Sequence, residues 1–353
     1  MKKANKTKEA GKDPYKIFTD AEGKKASSKF TAALPLYEEA RLLAGPDREL
    51  VLSCLLSIGD TCRMVGDFTK AAKHYKEANL LALKLDDRET ATDALVGRAL
   101  ALRALSKHKE AIEILNSALR DYRRRGDRTA EAFALWARAG AYRIKGDIKK
   151  AIEGFDEARA LFSKLRDRSG VGYCYTGLGG ATRISGDYNA SYKYYQKANK
   201  VFTDLGDIFG VAYSYCGLAN ALRMKGDFTG AAVYFKDARK NYKKIGDRVS
   251  YAYTLWGEGT LFQVTGKRAA ALKNFKEAET LFTDTRDKRG LIYCQMSVAE
   301  LEFTAGKKKV ALKRLSATFK KASALSLGVE TRYVKEIIKA AISAPNNIPL
   351  NLA

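Results

Sequence analysis

The sequence predicts an all-α fold, a right-handed α-solenoid of antiparallel helix pairs. A short phrase that returns every 40 residues and columns of alternating small and large residues at helical spacing lead to this class. The phrase is Gly-Asp at Gly66-Asp67, Gly146-Asp147, Gly186-Asp187 and Gly226-Asp227. It weakens to Ser106-Lys107, Gly266-Lys267 and Gly306-Lys307. A fixed period in this range marks stacked supersecondary units, each too small to bury its own apolar face. The composition agrees: 46% of the 353 residues are hydrophobic and only five are proline.

Residues 1–12 read as a disordered basic tail, and residues 13–47 as a degenerate first unit. In that unit Asp13 caps a short helix that starts at Pro14. A second helix carries Ala33, Tyr37 and Ala40, with Pro35 expected to bend it. Residues 48–327 hold seven 40-residue repeats. In the repeat around 170–207, Tyr175, Leu178, Gly179 and Thr182 lie at helical spacing before Gly186-Asp187. Gly186 suits the left-handed residue that ends a helix, and Asp187 suits the cap of the next. The second helix then runs from Tyr188 to Leu205.

The columns define how the helices meet. The inner helix is always small at Gly59, Ala99, Ala139, Gly179, Ala219, Gly259 and Ala299. The outer helix repeats small, large, small, as in Ser191, Tyr195 and Ala198 or Ala231, Phe235 and Ala238. Spacings of four and three put these on one helical stripe. Residues 328–344 read as a C-terminal capping helix with Val334, Ile337, Ile338 and Ala341 facing in. Residues 345–353 read as a loose tail.

The phrase Leu178-Gly179, Gly186-Asp187-Tyr188, Ser191, Tyr195 and Ala198 resembles a tetratricopeptide repeat. The 40-residue period resembles the longer repeats of the Leu-Gly-Asn/Pins adaptors and of kinesin light chains. This resemblance covers about residues 48–320. It implies that the inner helices line a concave groove whose residues contact a partner.

The chain has 64 Lys and Arg against 40 Asp and Glu, a net charge of +24. Such a surface favours acidic protein segments, nucleic acid or anionic lipid. Cys54, Cys62, Cys174, Cys216 and Cys294 form no CxxC pair, which reads as packed, reduced thiols in a cytoplasmic protein. No secretory signal is read in Met1 to Phe18, and no apolar run approaches the ~18 residues of a membrane span. The only two histidines, His74 and His108, read as solvated surface residues. No metal-ligand spacing, phosphate loop or nucleophile elbow is found, so neither an enzyme nor a cofactor is expected.

Two inner-helix columns stand out as candidate site residues. One is aromatic: Phe133, Tyr173, Tyr213, Tyr253 and Tyr293. The other is Arg63, Arg103, Arg143, Arg183 and Arg223. Trp136, Trp256 and Asn220 lie beside them. Arginine forks hold carboxylates or phosphates, and tyrosine supplies contact area with a polar tip. Two readings of each column stand open. The arginines either contact a ligand or brace the Asp four residues on, as Arg183 would with Asp187. The tyrosines either contact a ligand or pack neighbouring units together.

The expectation is a noncatalytic adaptor that binds an acidic extended or helical segment of another protein. The alternative is a basic solenoid that binds RNA or DNA, for which Arg123-Arg124-Arg125 and Lys307-Lys308-Lys309 are the densest candidate phosphate contacts. Self-association through the solenoid ends is a third possibility. Lys193, Lys197, Lys200, Lys236, Lys240, Lys243 and Lys244 read as a solvated outer face.

Overall fold

The computed structural model describes residues 12–27 and 29–343. Nearly all of the expected N-terminal tail, the last residue of the expected capping helix and the whole C-terminal tail lie outside the described residues. Every regular element among the described residues is a helix. In order they are α1 (Pro14–Ala26), α2 (Phe30–Leu43), α3 (Arg48–Met64), α4 (Phe68–Lys84), α5 (Arg88–Ala104), α6 (His108–Arg125), α7 (Arg128–Lys145), α8 (Ile148–Lys164), α9 (Arg168–Ser185), α10 (Tyr188–Leu205), α11 (Ile208–Lys225), α12 (Phe228–Ile245), α13 (Arg248–Val264), α14 (Arg268–Asp284), α15 (Lys288–Thr304), α16 (Lys308–Ala324) and α17 (Gly328–Ser343). They form two compact units, Met1–Gly97 and Arg98–Ala353, and α5 contributes to both.

The Gly-Asp phrase acts as a stop and a start. Gly186 has φ 91°, and the Asp187 amide donates back to the Thr182 carbonyl at 3.0 Å. The Asp187 carboxylate then accepts the Ala190 amide at 2.9 Å, which opens α10. This satisfies orphan groups on both helix ends within two residues. Where glycine is missing the backbone keeps the same shape. Asp86, Ser106, Arg166, Arg286 and Ser326 all adopt φ between 53° and 63°. Tertiary packing therefore sets the turn, and glycine only makes it cheaper.

In the first unit, Tyr75 of α4 wedges between α3 and α5. A Cβ built on Gly59 would lie 2.9 Å from its ring, and one on Gly97 would overlap it. The Tyr75 hydroxyl donates to Asp60 at 2.6 Å. α1 is tied in by Glu22, which accepts from the Tyr37 hydroxyl at 2.6 Å and the Ser57 hydroxyl at 2.9 Å. Pro35 lies inside α2.

The second unit repeats the wedge. Tyr195 of α10 sits between Gly179 of α9, where a Cβ would stand 2.8 Å from the ring, and Gly217 of α11, where it would overlap it. Burying each such aromatic contributes about 1.5–3 kcal/mol, which is why the small-large-small stripe recurs.

α17 has a second set of contacts far along the chain. Gly328 packs backbone to backbone on Gly146, and a Cβ at Gly328 would run into the Lys145 carbonyl oxygen. Arg332 Nη2 donates to the Ile184 carbonyl at 3.4 Å. Ile184 shares one buried cluster with Val329, Val334 and Ile337. A seam thus joins the start of α17 to the ends of α7 and α9 within this unit.

The structure corrects the reading of both histidines, which are buried rather than solvated. His108 is 1% exposed because the seam covers the start of α6, and His74 is 9% exposed. The 40-residue pattern describes neighbouring units and is blind to a contact across several of them. All five cysteines are free, and burial pushes the Cys174 thiol up to about 12. The seven outer-face lysines singled out in the sequence are all exposed.

Candidate functional site

The inner-helix columns come together in the second unit, and their burial deepens along the chain. Phe133 of α7 is 41% exposed; Tyr173, Tyr213 and Tyr253 are half-buried; Tyr293 is 4% exposed. Arg103, Arg143 and Arg183 are half-buried, whereas Arg223 is fully enclosed. In the first unit, Arg63 is half-buried, with Nη2 3.9 Å from Asp60.

Arg103 and Arg143 reach onto the next inner helix, where the sequence has left room. Arg143 lies over Gly180, where a Cβ would stand 3.3 Å from Nη1 and 3.3 Å from the Tyr195 hydroxyl. Arg103 lies over Gly140, and its Nη1 donates to the Ala137 carbonyl at 3.4 Å. Its guanidinium carbon is 5.5 Å from the centre of the Trp136 ring. Gly140, Gly180 and Tyr195 were not among the candidate site residues read from the sequence. The signal was a glycine 37 residues after each of Arg103 and Arg143, at Gly140 and Gly180.

The Arg–Asp brace does not form at Arg143 or Arg183: neither has a carboxylate within 4.0 Å among the described residues. Asp187 is spent on the Ala190 amide, and Asp147 lies 3.5 Å from Lys150. The Arg143 Nε is buried without a hydrogen-bond partner. Arg223 differs, since its Nη2 donates to Asn220 Oδ1 at 3.2 Å. Burial, reinforced by the charge of Arg183, holds its guanidinium down to about 9. Burial also pushes Glu300 up to about 8, against a 2.9 Å bond from Gln263 and the charge of Arg223. A half-buried cation pair beside an enclosed third arginine is a field that favours an anion.

Much of the aromatic column packs unit to unit. The Tyr173 ring lies 4.8 Å from Phe202, and its hydroxyl donates to Asp207 at 3.0 Å. Tyr253 lies 4.7 Å from Phe282, and the Tyr293 hydroxyl donates to Glu330 at 2.5 Å. Trp256 is buried, its Nε1 donating to Ser297 at 3.0 Å. Asn220 is buried and donates to the Cys216 carbonyl at 2.9 Å. Trp136 is half-buried, with Nε1 3.3 Å from the Tyr173 carbonyl. The accessible stretch therefore comprises Arg103, Phe133, Trp136, Arg143, Tyr173, Arg183 and Tyr213.

The arginine-rich run is already engaged. Arg123 pairs with Glu131 at 2.6 Å and Glu157 at 3.1 Å, and Arg124 and Arg125 pair with Asp121 at 2.6 and 3.1 Å. Lys307, Lys308 and Lys309 are exposed. Among the described residues no group of His, Cys, Asp and Glu gathers as a metal set, and no helix is long and apolar enough to cross a membrane.

A tetratricopeptide repeat model matches residues 21–78 and 90–164. No curated protein matches the chain in sequence. Several solved structures are similar in fold. The Rap conjugation gene regulator of the plasmid pLS20, in complex with the Phr* peptide, has a TM-score of 0.69 at 12% identity, covering 90% of this chain and 99% of that one. NprR in complex with its cognate peptide NprX has a TM-score of 0.62 at 14% identity, covering 94% and 88%. Aspartyl phosphate phosphatase F from Bacillus subtilis has a TM-score of 0.58 at 13% identity, covering 94% and 97%. At such identities the likeness is one of fold.

Proposed function

We propose that this chain, in which a tetratricopeptide repeat model matches residues 21–78 and 90–164, is a noncatalytic adaptor holding an acidic extended or helical segment of another protein against the inner face of its second unit. One observation carries the reading. Arg143 and Arg183 are half-buried on that face with no carboxylate within 4.0 Å among the described residues, and among these residues Arg143 Nε is enclosed without a hydrogen-bond partner. Cations kept out of bulk water and left unpaired raise the energy of the free protein, and a ligand carboxylate relieves it. Exposed Phe133 and half-buried Trp136, Tyr173 and Tyr213 lie toward the N-terminal ends of the same inner helices, about 15 Å along the axis from the arginine column, and supply apolar contact with polar tips for a segment that runs across both.

The peptide complexes of the Rap regulator and NprR support a peptide as the class of ligand, since the fold is shared. One similar structure is named a phosphatase. The inner face here gathers guanidinium, indole and phenol groups, and its carboxylate Glu300 is buried and bound by Gln263. That set suits recognition rather than proton transfer or nucleophilic attack. Nucleic acid is the less favoured ligand because the Arg123–Arg125 run is matched by Glu131, Glu157 and Asp121.

The test uses a fluorescein-labelled decaglutamate peptide and the double variant Arg143→Ala/Arg183→Ala. Losing two charge-assisted contacts should weaken binding by at least about ten-fold. The melting temperature should stay within about 2 °C or rise, because no internal ion pair is lost. A large fall in melting temperature with unchanged affinity would return the arginines to a purely structural role. A uracil oligonucleotide that binds more tightly than the peptide, with a steep salt dependence, would favour nucleic acid instead.

A further inference from the structure

The seam at the start of α17 touches the same helix ends that carry the candidate site. Ile144 follows Arg143 and packs with Leu325, Leu327 and Ile292. Ile184 follows Arg183; it shares a cluster with Val329 and Val334, and its carbonyl accepts from Arg332 at 3.4 Å. Gly328 and Gly146 meet through their backbones, with a Cβ on Gly146 placed 3.4 Å from the Gly328 Cα. Successive helices such as α9 and α10 or α11 and α12 contact one another far more extensively than α17 contacts α7. The seam, by contrast, sets the first turns of α17 and the turn before it against two helix ends.

The seam also buries polar atoms that it does not satisfy. The Glu330 Oε2 is enclosed without a hydrogen-bond partner, and the ring nitrogens of His108 are enclosed with only the Ser326 backbone to engage them. Glu330 Oε1 is held by Arg289 at 2.7 Å and Tyr293 at 2.5 Å, so the acid is fixed from its own side of the seam. Unsatisfied polar groups regain water when such a surface parts, which lowers the cost of opening. In a solenoid, neighbour-to-neighbour interfaces carry stability, so a contact between distant repeats can part without unfolding either one.

We propose that this seam is a clasp, whose opening widens the approach of the ligand segment to the accessible Arg143 and Arg183 and whose closure fixes the helix ends that carry them. The gating role rests on the inner-face reading above, while the clasp itself is measurable without a ligand. A segment that binds at Arg143 and Arg183 is thereby linked to the state of α17, because the same helix ends serve both.

Gly328→Ala tests it, since the new methyl group meets the Lys145 carbonyl. Arg332→Ala is the milder second variant, removing only the bond to Ile184. Hydrogen exchange of the amides at 144–148 and 329–333 should speed up by roughly ten-fold in both variants, while a single cooperative melt is retained. Labelled decaglutamate should then associate several-fold faster than with the natural chain. The clasp is overturned if these amides exchange only through global unfolding in all three proteins. Gating is overturned if the seam opens and the association rate stays the same. If decaglutamate binds the natural chain and Arg143→Ala/Arg183→Ala equally, the inner-face reading fails, and the exchange result still decides the clasp.

Discussion

Tyr195 shows what single residues decide in this fold. Its ring lies between Gly179 and Gly217, and neither glycine leaves room for a methyl group. Gly217→Ala should destabilise the protein by about 1–3 kcal/mol, through overpacking that outweighs the gain in helix propensity. Gly23 on α1 has nothing within 4 Å, so Gly23→Ala should stabilise by up to about 1 kcal/mol. Thermal melts of the two variants should move in opposite directions; equal shifts would mean that the wedge is unimportant. The packing of Tyr195 on Gly179 could be read from the columns, whereas Gly217 lay outside them. What Arg143 touches could not. The sequence offered Asp147 as a partner four residues on, whereas the side chain reaches forward onto Gly180 of the next unit. The choice depends on how far successive inner helices are displaced, and spacing within one helix does not encode that.

At the scale of elements, the turn grammar was legible because it is local. Gly66, Gly146, Gly186 and Gly226 all have positive φ, and Asp67, Asp187 and Asp227 each cap the following helix through an amide three residues on. Turns without glycine hold the same conformation at a cost. Arg166 is exposed with φ 60°. Arg166→Gly should therefore stabilise by about 1 kcal/mol, the left-handed strain relieved less the extra freedom of the unfolded chain. A chemical-denaturation midpoint that falls would contradict this. The docking of α17 on the ends of α7 and α9 was not legible, because it joins residues 148 positions apart, such as Ile184 and Arg332. For the same reason His108 read as a surface residue and proved to be covered.

At the scale of the molecule, the seam gives stability a dependence on pH. Burial holds the His108 imidazole below its ordinary value, as do Lys145 and Lys109; Glu330 and the Ser326 backbone oppose them. The folded state thus prefers neutral His108. Its stabilising share is complete above the ordinary histidine value near pH 6.5, and is lost as pH falls below it, by at most about 1.4 kcal/mol per pH unit. His108→Asn should lose less melting temperature than the natural chain between about pH 7.5 and about pH 5.5. An equal loss would place the titration elsewhere, with His74 the other buried imidazole. The central claim is that ligand binds on the accessible stretch of the inner face. The chain contains two tryptophans, of which Trp136 borders Arg103 and Tyr173 while Trp256 is buried. In the Trp256→Phe variant, fluorescence reports Trp136 alone. Titration with decaglutamate should shift or quench that emission with the same midpoint as binding, and Arg143→Ala/Arg183→Ala should abolish the change at equal peptide concentration. Binding that leaves the Trp136 emission untouched would contradict the account.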